Sequence, residues 1–502
     1  MNQVYVLSHD LGTSGDKACL FDAAGKLIRF AFTPYETYFP ASGWAEQDPD
    51  EWWAAVCGSS RQVLREASVR PEDVIAISFS AQSSGCLPVD ERGRALRERA
   101  IIWMDTRSGA EAEELTAKLG PDTQYNITGN GLAAPMLPCC KIMWMKKHEP
   151  LVWERVYKFL GCKEALIARM TGEVGLTDYT EAQASGLFSA LDRDYDPRLL
   201  SAAGIPREKL CKPAESVHCV GTVLPEAAEA LGVSAKTRVI LGMMDNPSAA
   251  VGAGCLESGV FVASLGTAAW LGCVSDRTFT DARYHVNSTY IGFGKYRSSV
   301  NSHTVGAAFD WALKNLLGLS GENLPGQAAK LAANAPAGAS GLMFLPSFRI
   351  GNCRYCSPGA SGALLGMKLE HDSTHIARAL FESLAFELKI GMEFFENADS
   401  VPKEIRVVGG GSKNELQCQI IADVLGIPVT APQNSRHIGA FGAAAFALAG
   451  AGLGKGVENA AWLVPERVYQ PDRRNTAAYA GCYQAYKACY EALIPLYDQK
   501  GG

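Results

Sequence analysis

The chain has 502 residues, of which 47% are hydrophobic and 20% charged, more than one core usually holds, so two or more domains are expected. Its 47 basic and 53 acidic residues are spread along the chain and sum to a formal net charge of -6, which leaves no basic stripe for a polynucleotide and excludes a nucleic-acid partner. The uncharged stretch from Ile438 to Gly454 is rich in Ala and Gly and falls short of the roughly 20 residues a membrane span needs, so it reads as a packed helix and no membrane partner is expected.

Met1-Asn2-Gln3-Val4 lacks a basic region leading into an apolar run, and the expected location is the cytoplasm. Val4 to Ser8 is a β-rich run, a Gly/Ser/Thr turn follows, and Ala18 to Phe21 with the Ala24-Gly25 turn completes the opening of a β-meander. Asp48-Pro49-Asp50-Glu51 then starts a helix: Asp48 caps it, Pro49 suits its first position and Glu51 completes a capping box. Trp53, Val56, Cys57, Ser60, Val63 and Leu64 fall on one face of that helix. A strand from Val74 to Phe79 delivers Ser80-Ala81-Gln82-Ser83-Ser84-Gly85 to a loop at its end, where ligand groups tend to gather.

The second half repeats the opening. Gly259-Val260-Phe261-Val262-Ala263-Ser264-Leu265-Gly266-Thr267-Ala268 echoes Tyr5 to Ser14, each a β run entering a Leu-Gly-Thr turn. Two such units suggest duplicated α/β domains, 1–243 and 244–502, facing each other across a cleft, with the crossing near Gly242 to Asn246. Further on, Ile405 to Val408 reads as a strand, Gly409-Gly410-Gly411 as a turn and Asn414 to Leu425 as an amphipathic helix. The 15 cysteines are scattered and read as buried thiols. Cys353 and Cys356 have metal-ligand spacing, but no second pair is spaced to match.

Several residues have the chemistry of a phosphate site. In Asp10-Leu11-Gly12-Thr13-Ser14-Gly15, Gly12 allows a tight turn from which amides and the Thr13 and Ser14 hydroxyls can converge on phosphate oxygens, with Lys17 adding positive charge. Asp10, at a strand end beside this turn, suits magnesium, which prefers carboxylate and water oxygens alongside phosphates. An ordinary turn would account for this segment, or for Ser264-Leu265-Gly266-Thr267, taken alone; the echo is what ties both to one ligand. Gly409-Gly410-Gly411 with Ser412 and Asn414 would let backbone approach an adenine and ribose, or would simply be a flexible turn. Asp245 is a carboxylate in an apolar, small-residue setting. It reads either as the base that accepts a proton from a hydroxyl nucleophile or as a helix cap.

Assembled, these residues resemble the FGGY family of carbohydrate kinases nearly end to end. The most specific stretches are Met136-Leu137-Pro138-Cys139-Cys140-Lys141-Ile142-Met143-Trp144-Met145, and Gly362 to Met367 continuing through His375 to Glu382. Gly43 to Pro49, Trp103-Met104-Asp105-Thr106-Arg107 and Gly409 to Asn414 support them. The resemblance implies two actin-like, ribonuclease-H-like domains with ATP and a small sugar in the cleft, and a magnesium-assisted transfer of the γ-phosphoryl group. By the same resemblance Asp245 is the base, Asp10 the Mg2+-associated carboxylate, Gly12 to Ser14 and Gly266-Thr267 the phosphate loops, and Gly409 to Gly411 with Asn414 the adenosine site. Gly306 matches a further nucleotide-side glycine. Gln82, Trp103 and Asn246 match sugar contacts, with Asp105 and Arg107 behind them.

The departures concern the acceptor. Xylulokinases usually carry Gly-Gln-Met-His-Gly where this chain has Ala81-Gln82-Ser83-Ser84-Gly85, and glycerol kinases carry Arg-Glu after the same glutamine. His9, Asn352 to Ser361, and Arg436-His437 also depart from the family's usual residues, and both histidines read as packing or surface groups. A ketopentose such as D-xylulose stands first among acceptors, with ribulose, gluconate or glycerol behind it. An actin-like ATP-binding regulator without sugar chemistry is the alternative from another class, and a homodimer is compatible with either.

Overall fold

The computed structural model describes residues 3–120, 122–130, 134–257, 259–266, 269–284, 286–302, 305–347, 360–432, 435–453 and 465–500. The elements that build the site are, in chain order, β1 (Tyr5–Gly12), β2 (Gly15–Asp22), β3 (Leu27–Pro34), α1 (Pro49–Ala67), β4 (Val74–Ala81), α2 (Pro138–His148), β5 (Cys219–Thr222), β6 (Arg238–Ile240), β7 (Met243–Met244) and α3 (Asp245–Gly252). They continue with β8 (Val260–Leu265), β9 (Ala269–Ser275), β10 (Asn287–Gly292), β11 (Lys295–Ser302), α4 (Val305–Asn315), α5 (Ser373–Asn397), β12 (Glu404–Val408), α6 (Glu415–Leu425), β13 (Val429–Pro432), α7 (Ile438–Gly450) and β14 (Pro465–Tyr469).

Two seven-stranded sheets share one plan. The first runs β5-β6-β4-β1-β2-β3 with β7 added beside β4, and the second runs β14-β13-β12-β8-β9-β11-β10. In each, a hairpin (β1–β2, β8–β9) places its first strand parallel to a later one (β4, β12). The next neighbour, β6 or β13, is parallel again and the one beyond antiparallel. The duplication expected from the repeated Leu-Gly-Thr turns is therefore present in six strands of each sheet, with β7 and β10 the additions that have no counterpart.

The cores follow from the alternation of side chains across strands. One face of the first sheet packs Leu7, Leu20 and Ile77 against Trp52, Val56 and Val63 of α1. One face of the second packs Phe261, Ala263 and Leu271 against α5, with Tyr479, Tyr486 and Tyr490 of the helix Arg473–Lys500 behind. The remaining faces meet in the middle, where Val6 and Phe21 of the first sheet and Val262 and Val274 of the second close on Ala250 and Val251 of α3 and Phe441 and Phe446 of α7. The Ala/Gly-rich segment is thus a buried helix, and among the described residues no helix is long and apolar enough to cross a membrane.

Small residues let α3 and α7 touch backbone to backbone. A Cβ on Gly252 would sit 2.0 Å from the Ile438 carbonyl oxygen, and one on Gly442 would sit 2.1 Å from that of Ser248. Neither neighbour is a side chain that could swing away. Gly442→Val is expected to cost about 3 kcal/mol through forced separation of the two helices. Thermal unfolding checks this against Gly481→Ala, where nothing lies within 4 Å and a helix interior should gain slightly from alanine; equal midpoints for the two variants would refute the close crossing.

Two details of α1 differ from expectation. Asp48 caps the helix by accepting from the Asp50 N–H at 2.8 Å, but Glu51 forms no capping box, because its carboxylate accepts from the Glu36 N–H at 3.0 Å and from the Tyr38 hydroxyl. Trp52 rather than Trp53 is the fully buried tryptophan, and its indole N–H donates to Gln47 Oε1 at 2.9 Å. The expected thiols hold: 13 described cysteines are free, ten of them buried.

Candidate active site

Parallel strands that point the same way deliver the loops after them to one end of a sheet, and ligands gather there. Asp10 lies two residues before the end of β1, Gln82 directly follows β4, Gly266 follows β8 and Gly409 follows β12. The four segments singled out by sequence therefore emerge from strand ends in two equivalent pairs.

On the first sheet, Gly12 pairs with Gly15 across a two-residue turn made by Thr13 and Ser14. The turn is held from behind: Tyr35 donates its hydroxyl to the Gly12 carbonyl, and Gln47 Nε2 donates to the Thr13 carbonyl at 2.7 Å. Trp103 crosses to it, its indole N–H 3.0 Å from Thr13 Oγ1, while more than a third of the residue remains exposed. Ser14 is exposed at the tip.

Asp10 is half-buried. Its Oδ1 accepts from Ser80 Oγ at 2.8 Å, and its Oδ2 pairs with Lys17 Nζ at 3.2 Å. The Asp10 charge is the main reason the Lys17 ammonium titrates above its ordinary value. The first turn of α7 abuts this carboxylate so closely that a Cβ on Gly439 would lie 2.6 Å from Asp10 Oδ1, and the positive end of a 13-residue helix favours a negative group there. His9, the unusual neighbour, is buried away from this face, bonded through Nδ1 to Asp16 at 2.9 Å and stacked on Phe79.

Asp245 reaches the same region by a different route. Met243 and Met244 pair in register with Ser80 and Ala81, so Asp245 opens α3 alongside the residue that begins the Gln82 loop. Gly242 makes this possible, since at φ 70° a Cβ would meet the Phe79 carbonyl oxygen at 2.1 Å. The Asp245 side chain does not cap α3; Oδ1 accepts the neighbouring Asn246 N–H at 2.6 Å, and Asn246 itself is exposed. Burial pushes the carboxyl up to about 6, with the Asp10 charge adding to the rise and the Asn246 N–H, Arg297 and Lys17 opposing it.

The loop after β4 is rigidly held. Gln82 donates its backbone N–H to the Leu11 carbonyl at 2.7 Å and its Nε2 to Gln47 Oε1 at 2.6 Å, leaving Oε1 buried without a partner. Ser84 takes a left-handed φ of 59° and donates its N–H to Glu181 Oε1 at 2.9 Å. Lys141 of α2, wholly buried, ties the Ser84 and Ile102 carbonyls together at 2.8 Å each, and burial takes its ammonium down to about 8. This lysine sits inside the first signature stretch without an assigned role in the sequence reading. Its task is to fix the Gln82 loop relative to Trp103.

Asp105 and Arg107, expected as sugar contacts, are tied to one another and to neighbouring groups of the protein. Asp105 is fully buried, accepts the Ala45 N–H at 2.6 Å and pairs with Arg107 at 2.7 Å. Arg107 also pairs with Glu46 at 2.7 Å and lies over the Trp44 ring at 3.6 Å. Both charges are paired within the protein, although Arg107 Nη1 is buried without a hydrogen-bond partner.

On the second sheet, Gly266 is exposed after β8, and Thr267 lies outside the described residues, as do Cys353 and Cys356. The glycine triplet presses on the same loop: a Cβ on Gly409, at φ 86°, would lie 2.7 Å from the Leu265 carbonyl oxygen, and one on Gly411 2.7 Å from Leu265 Cβ. Gly410 has open space around its Cβ position. Asn414 caps α6, accepting from the Gln417 N–H at 3.1 Å, and its Nδ2 donates to the Pro325 carbonyl at 3.2 Å. Gly306 is buried in the first turn of α4.

The FGGY family of carbohydrate kinases matches the chain twice, its N-terminal domain over residues 5–252 and its C-terminal domain over residues 261–451. The xylulose kinase of Escherichia coli K12 is 31% identical over 490 residues, covering 97% of this chain and 99% of that protein, and the xylulose kinase of Bacillus subtilis is 29% identical over 493 residues, covering 97% and 96%. The crystal structure of xylulose kinase from Rhodospirillum rubrum superposes with a TM-score of 0.89 at 28% identity, over 99% of this chain and 100% of that one.

Proposed function

Since the chain belongs to the FGGY family of carbohydrate kinases, ATP-dependent enzymes that phosphorylate an alcohol group of a sugar, we propose that its acceptor is a ketopentose, D-xylulose first. The observation that carries the reading of the cleft is the register of β7 beside β4, which brings a carboxylate titrating near 6 next to the strand end that also carries Gln82.

In this reading Asp245 accepts the proton of the attacking hydroxyl, Gln82 and Asn246 bond the sugar's other oxygens, and Trp103 lies against its C–H face. Gly12, Thr13, Ser14 and Lys17 from one side, and Gly266 with Thr267 from the other, hold the phosphates. Gly409 to Gly411, Gly306 and the Asn414 turn receive the adenosine. The donor set at Asp10 is all oxygen, carboxylate beside hydroxyl, which fits Mg2+ and not a soft metal. Bound there, the ion would neutralise phosphate charge as it moves toward ADP. The division between the two halves is placed at 243/244, just before Asp245.

A panel of D-xylulose, D-ribulose, gluconate and glycerol, with ADP release and product mass measured for each, checks the assignment. D-Xylulose is expected to give a monophosphate with the highest kcat/KM among the neutral acceptors. A chain that makes no phosphorylated product from any of the four would refute the reading.

A further inference from the structure

One buried side chain bonds both the turn after β1 and the loop after β4, and the reaction as described leaves it without a task. Gln47 belongs to a two-residue ladder, Glu46 opposite Ile101 and Gln47 opposite Ala100, whose second strand ends two residues before Trp103. The Ala45 carbonyl extends this ladder by accepting the Ile102 N–H at 3.1 Å. Two grips on the phosphate turn come from this ribbon: Gln47 Nε2 reaches the Thr13 carbonyl, and the Trp103 indole reaches the Thr13 hydroxyl.

Gln47 is 0% exposed. A primary amide has two N–H donors and two lone pairs on its oxygen, and in Gln47 all four are used. Nε2 donates to the Thr13 carbonyl at 2.7 Å and to Thr37 Oγ1 at 2.8 Å, while Oε1 accepts from Trp52 Nε1 at 2.9 Å and from Gln82 Nε2 at 2.6 Å. Two of these partners have a single role, since an indole N–H only donates and a backbone carbonyl only accepts. Oε1 therefore faces Trp52, Nε2 faces Thr13, and Gln82 must turn its own nitrogen toward Gln47. The Gln82 backbone is already tied to the Leu11 carbonyl. What Gln47 adds is the bearing of the Gln82 side chain relative to the Thr13 turn.

We infer that Gln47 is a positioning residue that holds the phosphate turn and the Gln82 side chain at a fixed spacing, so that the γ-phosphoryl group meets the acceptor hydroxyl rather than water. The inference rests on the reading of these two segments as the phosphate and acceptor sides of one site. Transfer needs the reacting atoms about 3–3.5 Å apart, and a misplacement of about 1 Å can cost on the order of a hundredfold in rate. Gln47 is wholly buried behind both segments, so its loss acts on their alignment and not on contacts with either ligand. Each ligand alone finds its own segment; only the encounter between them depends on the brace.

The test is Gln47→Met in the full chain, which keeps the length of the side chain and removes all four bonds. Sugar phosphate and inorganic phosphate are measured together, with ATP, Mg2+ and whichever of D-xylulose, D-ribulose, gluconate and glycerol the unaltered chain phosphorylates fastest. Transfer to the acceptor is expected to fall at least about tenfold while hydrolysis of ATP by water holds, so the ratio of inorganic phosphate to sugar phosphate rises by the same factor. The dissociation constants of ADP alone and of the acceptor alone should stay within about threefold of the parent's. A loss of folded protein would lower transfer and hydrolysis together and leave the ratio where it was. Trp52→Phe takes one donor from Gln47 and leaves its bonds to Thr13 and Gln82, so it controls for stability and should keep the parent's ratio. Gln47→Glu, which keeps both accepting contacts and loses the donors to Thr13 and Thr37, carries the same comparison if the Met variant fails to fold. A ratio within about twofold of the parent's in the Gln47 variant would overturn the inference, as would an equal rise in Trp52→Phe. A parent chain that phosphorylates none of the acceptors would remove the acceptor reading and this inference with it.

Discussion

Asp245→Asn is expected to lower kcat at least about a hundredfold while ATP still binds, because it removes the proton acceptor and keeps the shape of the side chain. The carboxyl titrates near 6, so at pH 7 and above it is mostly ionised and ready to accept a proton. In the parent enzyme kcat/KM should bend near pH 6 and fall about tenfold per unit below it, and the residual activity of Asp245→Asn should show no such bend. The stability effect has the opposite sign. The folded value is raised above the unfolded one, so the folded state holds the proton more tightly between about pH 4 and 6, and ionising Asp245 above that window destabilises the fold by on the order of 3 kcal/mol. Asp245→Asn should therefore unfold at a higher temperature than the parent at pH 7, with the gap closing as pH falls toward about 4. A variant with near-normal turnover would remove Asp245 from the role of base. One that is inactive and also less stable at pH 7 would show that the carboxylate serves structure instead.

The duplicated architecture was legible because it rests on local chemistry repeated twice: a β run, a Leu-Gly-Thr turn and a second β run, at Tyr5 to Phe21 and again from Val260. Asp245 was visible as an ionisable group out of place in an apolar segment. What placed it, the two-residue strand Met243–Met244 in register with Ser80 and Ala81, is too short to leave a periodic signal. The tryptophan pair on α1 shows a similar limit, since Trp52 and Trp53 are neighbours in sequence about 100° apart around the helix, and the Gln47 partner of the buried Trp52 lies outside the helix. Glu51 was drawn from its capping box by Glu36 and Tyr38, a competition between local and distant donors that spacing cannot foresee.

Charged residues were the hardest to sort. Asp105 and Arg107 follow Trp103 in a loop and look available, but Glu46, which neutralises Arg107, lies about sixty positions earlier. Lys141 has the converse history: nothing marks it as different from Lys146 or Lys147 on the same helix, yet it alone is buried and bridges two carbonyls at the cleft. Arg297 sits in Lys-Tyr-Arg-Ser-Ser, where alternation predicts a half-exposed strand. Its burial appears only in the folded sheet, where the Trp270 ring of the neighbouring β9 lies against its guanidinium. Sequence patterns report which groups could act, whereas the pairing of each charge is a tertiary fact.

Asp10→Asn is expected to lower kcat at least about a hundredfold and to raise the Mg2+ concentration needed for half-maximal rate, because several kcal/mol of charge stabilisation at the phosphates depends on a metal-directed carboxylate. Asparagine keeps the hydrogen bond from Ser80 and the fit beneath Gly439, so the loss would be of charge and not of packing. Two accompanying effects separate this role from a structural one. Nucleotide affinity measured without metal should hold or improve, since the variant removes a negative charge that faces the phosphates and frees Lys17 from its main partner. The acid bend in kcat/KM should move below pH 6, since the Asp10 charge contributes to the raised value of Asp245. Turnover and Mg2+ dependence equal to those of the parent would take Asp10 out of the metal's reach. A loss of turnover with the bend unmoved would mean that the two carboxylates, although both reach the cleft, do not sense each other's charge.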